Sequence, residues 1–255
     1  MQFSANLGFL WTDRTLPDAI RAAKQAGFDA VECHWPYDVS SGDVAAALAE
    51  TGLEMVALNI RPGEVTAGEF GLAALPHREV QARRAIDEAL DYAAAINARH
   101  VHVMAGNATG AEAARMFEKN LRYACTRAAP QQITILIEPL NHYDVPDYFL
   151  TDTEQAVTLI RAIGVDNLKL MFDCYHVKRT EGDVGRRLKA LMPWIGHIQF
   201  AAVPDRGPPD HGEVDYRDVF TRLKDLGYDR PLGAEYRPEG ETGASLSWLD
   251  WAKGL

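Results

Sequence analysis

Short apolar runs alternate along this chain with longer stretches in which apolar residues recur every three to four positions. The short runs predict strands near Phe3–Gly8, Ala30–Cys33, Met55–Asn59, His100–Met104, Thr134–Glu138, Leu168–Asp173, His197–Phe200 and Leu232–Glu235. Between them, segments such as "LPDAIRAAKQAG", "HREVQARRAIDEALDYAAAIN", "EAARMFEKNLRYACTRAA" and "RDVFTRLKDLG" collect their apolar residues on one helical face. Gly27, Gly164 and Gly227 stand where helical patterns stop, as expected of residues that tolerate a left-handed backbone. Eight strand–helix pairs in 255 residues predict an α/β fold, a single (β/α)8 barrel occupying 1–255. Parallel neighbours need a crossover connection, and eight such units close a sheet on itself. The competing solution, a doubly wound sheet, would carry a glycine-rich turn after the first strand, and "NLGFLW" is not one.

Composition narrows the function classes. With 47% hydrophobic and 24% charged residues the chain can bury a large core, and its prolines and glycines are scattered, so no linker divides it. No apolar run is long enough to span a bilayer, and "MQFSANLGFLWTDR" lacks the basic start and cleavage site of a signal peptide. A soluble, cytoplasmic protein without membrane partners is expected. Cys33, Cys125 and Cys174 are odd in number and far apart, which suits a reducing compartment and argues against a cysteine zinc site. A net charge of −10 repels nucleic acid. A small anionic ligand would require positive charge supplied locally.

On a barrel of this type catalytic groups gather at the C-terminal ends of the strands. Four consecutive predicted strands carry oxygen ligands there: Glu138, Asp173, Gln199 and Glu235. Three carboxylates brought to one rim repel each other unless a cation sits among them. All-oxygen ligation suits Mg2+ or Mn2+ better than zinc. The plainer alternative for each residue is a helix N-cap or the partner of a nearby base. That alternative accounts less well for four in succession.

The phrases "FSANL", "GFDAVE", "AGEFGLAALPHRE", "HVHVMAGN", "IEPLNHYDVPDYFLT", "DCYHVKRTEGD", "GHIQFAAVPDRGPPDHGEVDY" and "GAEYRP" run over essentially the whole chain. In them it resembles hydroxypyruvate isomerase and its close relatives in the xylose-isomerase-like barrel superfamily, the 2-oxo-tetronate isomerases included. The resemblance implies metal ligands at Glu138, Asp173, Gln199 and Glu235, and a catalytic acid/base pair at Glu138 and Glu235. It implies conversion of hydroxypyruvate to tartronate semialdehyde (2-hydroxy-3-oxopropanoate) through a cis-enediolate. Isomerisation of 2-oxo-tetronate and ketose 3-epimerisation are the alternatives. The epimerases typically place histidine where this chain has Gln199, which weighs toward the isomerases. A dimer or tetramer is a family expectation.

Two further residues are expected to touch substrate. His176, three positions beyond Asp173, can hydrogen-bond substrate oxygens. Arg206, in the proline-stiffened loop "AVPDRGPPDHGE", can take a carboxylate bidentately, the alternative being a surface ion pair with Asp205 or Asp210. Asn6, Glu32, His34, Asn59 and His102 fall near the ends of the first four strands and can line the pocket, with Trp35 and Tyr37 as walls. "GNATG" resembles a weak anion nest. A Schiff-base aldolase would need an inward lysine, and neither Lys169 nor Lys178 is well placed. A zinc nuclease would need a histidine cluster and a basic groove. A non-catalytic sugar-binding barrel would not require two carboxylates poised for proton transfer.

Overall fold

The computed structural model describes all 255 residues. Eight parallel strands close into a barrel in sequence order: β1 (Phe3–Asn6), β2 (Ala30–Cys33), β3 (Glu54–Asn59), β4 (His100–His102), β5 (Thr134–Ile137), β6 (Leu168–Asp173), β7 (Ile195–Phe200) and β8 (Leu232–Ala234), with β1 paired to β8. Outside them lie α1 (Leu16–Gln25), α2 (Ser41–Thr51), α3 (Glu79–Ala95), α4 (Gly110–Ala128), α5 (Thr153–Ile163), α6 (Cys174–Glu181), α7 (Val184–Leu191), α8 (Tyr216–Asp225) and α9 (Ser247–Lys253). The expected fold is the observed one, with two helices rather than one between β6 and β7. None of the helices is long and apolar enough to cross a membrane.

Local chemistry accounts for the boundaries. Thr15 and Asp152 cap α1 and α5 by accepting backbone N–H bonds from Asp18 and Gln155. Gly164 closes α5 in the left-handed region, where a side chain would be strained. Strand β1 stops at Asn6, earlier than expected, because the Asn6 carbonyl accepts from Leu10 N–H and its side-chain oxygen accepts from Gly8 N–H, turning the chain. Strand β5 stops before Glu138 because Pro139 has no N–H to continue a ladder.

The apolar residues form two separate cores. A large one lies between barrel and helices, with Phe3, Phe200, Phe220 and Trp248 packed edge to face at its centre. A small one, made of Ala30, Val56, Ala57, Leu136 and Met171, plugs the barrel interior. Residues two positions further along several of these strands, Glu32, Glu138 and Asp173, alternate onto the same inward face and are buried. The plug is therefore the floor on which the polar rim stands.

Candidate active site

Glu138 directly follows β5, Asp173 ends β6, Gln199 lies in β7 and Glu235 directly follows β8, so the four residues singled out from the sequence all reach the same rim and all are buried. Asp173 and Gln199 face each other across the β6–β7 register, and Gln199 in turn pairs with Gly233. Asp173 serves both readings of its type. Its Oδ1 caps α6 by accepting from Tyr175 N–H at 2.8 Å, while its Oδ2 has no hydrogen-bond partner. Glu138 Oε1 and Gln199 Oε1 are likewise buried without partners. Leaving such atoms unpaired costs on the order of 1–3 kcal/mol each, so three at one rim mark a place built for something else.

Glu235 differs from the other three. Its Oε1 accepts from Asn6 Nδ2 at 2.9 Å and lies 3.2 Å from His34 Nε2; its Oε2 accepts from Arg206 Nη2 at 2.6 Å. The same Arg206 nitrogen is 3.6 Å from Asp173 Oδ2. Asp205 and Asp210 instead contact His211, so the surface ion pair considered for Arg206 does not form with either. The Arg206 side chain is held from both sides, its guanidinium 5.0 Å from the ring centres of Phe9 and of Tyr175. Its backbone adopts φ +57°, a left-handed conformation uncommon for arginine, in a turn closed by its N–H on Ala202 O. This turn aims the guanidinium into the barrel mouth.

His176 sits in the first turn of α6, with Nε2 3.7 Å from Asp173 Oδ2 and 4.0 Å from Glu138 Oε1. His102 Nδ1 is 3.6 Å from Glu138 Oε2. Burial of these charges in common sets their protonation. Burial and the neighbouring Glu235 and Asp173 push the Glu138 carboxyl well above its ordinary value. Burial raises that of Asp173 to about 7 even though Arg206 opposes it. Burial would raise Glu235 as well, yet Arg206 and the His34 hydrogen bond bring it down to about 2. Burial drives His176 well below its usual value, and His102 to about 4. One guanidinium therefore stabilises one carboxylate fully and leaves two short of positive charge.

The chemistry of the donor set meets the requirements of a hard divalent cation. Glu138, Asp173 and Gln199 offer unpartnered oxygens, and ligand atoms of Glu138, Asp173 and His176 lie within 4.8 Å of one another. Glu138 and His176, with Arg206 and Glu235, line a cavity of about 60 Å³ whose apolar walls are Phe9, Trp35, Phe70, Met104, Leu140 and Val145, room for a molecule of a few carbon atoms. A larger hollow of about 670 Å³ opens on the outer flank beside α5, but Glu181 within it already bonds Thr153 and Arg187.

The model of the xylose isomerase-like TIM barrel family matches residues 20–251. The chain belongs to that family. A 2-oxo-tetronate isomerase of Cupriavidus necator is 42% identical over 97% of each chain. A hydroxypyruvate isomerase of Escherichia coli is 35% identical over 98% of each. Among solved structures, one described as an AP endonuclease, family 2, from Brucella melitensis superposes with a TM-score of 0.94 at 36% identity, covering 98% of both chains. The xylose isomerase-like barrel also superposes on an Escherichia coli 3-keto-D-glucoside 4-epimerase with a TM-score of 0.82 at 20% identity, a likeness of fold.

Several contacts within this xylose isomerase-like site go beyond the sequence reading. Asn6 and His34 fall on Glu235, and His102 on Glu138, whereas the sequence placed them only as pocket lining. Asp144, 4.0 Å from Arg206 Nη1, was not foreseen, although an acid in the loop directly after the strand end that carries Glu138 is a signal of sorts. Glu32 does not line the mouth. It lies below it, 2.6 Å from His197 Nε2. Tyr37 also leaves the pocket and donates its hydroxyl to Asn59 O. In "GNATG" the Ala108 N–H already bonds Asp147 O, which takes one of the N–H groups an anion nest would use.

Proposed function

We propose that this protein is a metal-dependent aldose–ketose isomerase of small hydroxy-oxo acids, interconverting hydroxypyruvate and 2-hydroxy-3-oxopropanoate. The observation that carries the reading is the set of unpartnered buried oxygens on Glu138, Asp173 and Gln199 beside a Glu235 whose charge is held by Arg206. The names of its relatives support the class of substrate. The higher identity to a 2-oxo-tetronate isomerase favours the four-carbon acid as a second substrate to test.

Glu138, Asp173, Gln199 and Glu235 would hold Mg2+ or Mn2+, which when bound supplies Lewis-acid polarisation of the substrate carbonyl. The protein groups carry the proton. Glu235, kept ionised by Arg206, takes the proton from C3 of the 2-oxo acid, giving a cis-enediolate. Glu138, which retains a proton more readily, returns one to C2, while the proton of the C3 hydroxyl passes to the former carbonyl oxygen, so that the carbonyl moves to C3. His176 bonds the oxygen that changes from carbonyl to hydroxyl. Arg206, the one guanidinium facing the cavity, receives the substrate carboxylate. The apolar walls keep bulk water from the enediolate.

The test is NMR of metal-stripped protein in D2O with hydroxypyruvate or 2-oxo-tetronate, before and after adding Mg2+ or Mn2+. The expected result is isomer carrying deuterium at C2, formed only with metal. The faster acid identifies the substrate. A product of inverted configuration with its carbonyl unmoved would indicate epimerisation. Absence of both isomer and solvent exchange with either acid would refute the proposal.

A further inference from the structure

Asn141 lies three residues past Glu138, is fully buried, and makes every hydrogen bond its side-chain amide can align in that corner of the site. Its Oδ1 accepts from the backbone N–H groups of Tyr143 and Asp144, both at 3.1 Å. Since backbone amides only donate, this end of the side chain must be the oxygen. The other end is therefore the NH2 group, which donates to Asp144 Oδ2 at 3.1 Å and faces His176 Nδ1 at 2.8 Å. The backbone N–H of Asn141 also points at His176 Nδ1, at 3.0 Å. Two donors converge on one ring nitrogen.

From this convergence we infer that Asn141 is a positioning residue that fixes the tautomer of His176. A nitrogen receiving two donors must present its lone pair, so the ring proton of neutral His176 is on Nε2. Nε2 is the atom that faces the unpartnered oxygens of Asp173 and Glu138, at 3.7 and 4.0 Å. Those separations are too long for direct hydrogen bonds, so Nε2 stays free toward the cavity that His176 lines. His176 is thereby a donor toward that cavity. An Nε2 that carries a proton has no lone pair for a metal, so His176 stands outside the ligand set although its distances alone would admit it. Through Asp144, which also accepts from Tyr175 OH at 3.3 Å and lies near Arg206, the same residue ties the two substrate-binding side chains to one loop.

The tautomer holds whether or not the proposed reaction is the right one, whereas its effect on turnover rests on that reading. The first experiment is nitrogen-15 NMR of the imidazole of His176 in the intact protein, with and without Mg2+. The expected spectrum has a protonated Nε2 and an unprotonated Nδ1 in both conditions. A proton on Nδ1, or loss of the Nε2 proton on adding Mg2+, would overturn the assignment. The second experiment compares Asn141→Asp with Asn141→Ala. Aspartate keeps the oxygen that organises the turn through Tyr143 and Asp144 but replaces the donor at His176, and with it the donor to Asp144 Oδ2, with an acceptor. Alanine loses the turn bonds and leaves the backbone donor in place. Positioning of the tautomer predicts that Asn141→Asp lowers kcat by about 100-fold with a smaller change in KM, shows Nδ1 protonation, and is the more damaging to turnover. A purely structural role predicts the reverse order, with Asn141→Ala both less stable and less active. Wild-type protein inactive on both acids would count against the proposed reaction and not against the tautomer.

Discussion

Replacing Arg206 with glutamine tests how the site manages its charge. Arg206 and Glu235 are buried partners, their side chains 14% and 8% exposed and 2.6 Å apart, so solvent screens the pair little. The interval between the ordinary carboxyl value of 4.5 and about 2 for Glu235 corresponds to about 3 kcal/mol in favour of the folded, ionised state, at about 1.4 kcal/mol per pH unit. Because the folded value is the lower, that stabilisation is complete above about 4.5 and is lost as pH falls toward 2. Arg206 is the largest influence lowering it, ahead of His34, and without the guanidinium only His34 and His176 oppose the effect of burial. Arg206→Gln is therefore expected to lose up to about 3 kcal/mol of unfolding free energy near neutral pH, the part held by His34 and His176 remaining, which is comparable with the usual cost of breaking one side of a buried ion pair. Urea denaturation in the presence of EDTA reads this without help from metal. Added Mg2+ or Mn2+ should restore part of the loss by binding the freed carboxylates. A loss below about 1 kcal/mol would show that Glu235 does not depend on this guanidinium. In the same variant KM for hydroxypyruvate should rise, and an unchanged KM would remove Arg206 from substrate binding.

Glu138→Gln and Glu235→Gln are each expected to lower turnover by about 10²–10⁴-fold with an unchanged circular dichroism spectrum, and wild-type activity in either would refute the acid/base assignment. His100, buried beneath the site, is held near pKa 3 by burial and by His197, so between about 3 and 6.5 the unfolded chain binds the extra proton. Stability should fall by about 2 kcal/mol from neutral pH to pH 5 on this account alone, and His100→Gln should flatten that slope in urea titrations; an identical slope would show that other groups dominate. Gly233→Ala would place a Cβ 2.3 Å from Glu32 Oε1, 2.8 Å from Gln199 Cγ and 2.9 Å from His197 Nε2, and should cost about 1–3 kcal/mol in a thermal melt while weakening metal binding through Gln199; an unshifted melt would mean the floor yields freely.

The strands and the order of the barrel were legible because their signal is local. Apolar runs of four to six residues separated by amphipathic helices have few ways to bury both strand faces, and the closed parallel barrel is one of them. The same periodicity, carried to the strand ends, placed Glu138, Asp173, Gln199 and Glu235 on one rim, since alternation along a strand dictates which face a residue takes. His176 and Arg206 followed from their nearness in sequence to those ends.

What periodicity cannot carry is which partner each charge finds across the barrel. Glu235 meets Asn6 and His34, 229 and 201 positions away, because β8 closes against β1. Glu32 turns from the mouth to His197 because the missing side chain at Gly233 leaves room for it below. The left-handed turn at Arg206 sends an arginine inward that the sequence could equally have left on the surface. These contacts join residues far apart in the chain, so their energies arise only once the barrel has closed and excluded water. The sequence by itself determined the frame and the kinds of atoms at its rim; closure of the barrel, by bringing distant residues together and excluding water, decided which of those atoms are paired and which stay unpaired.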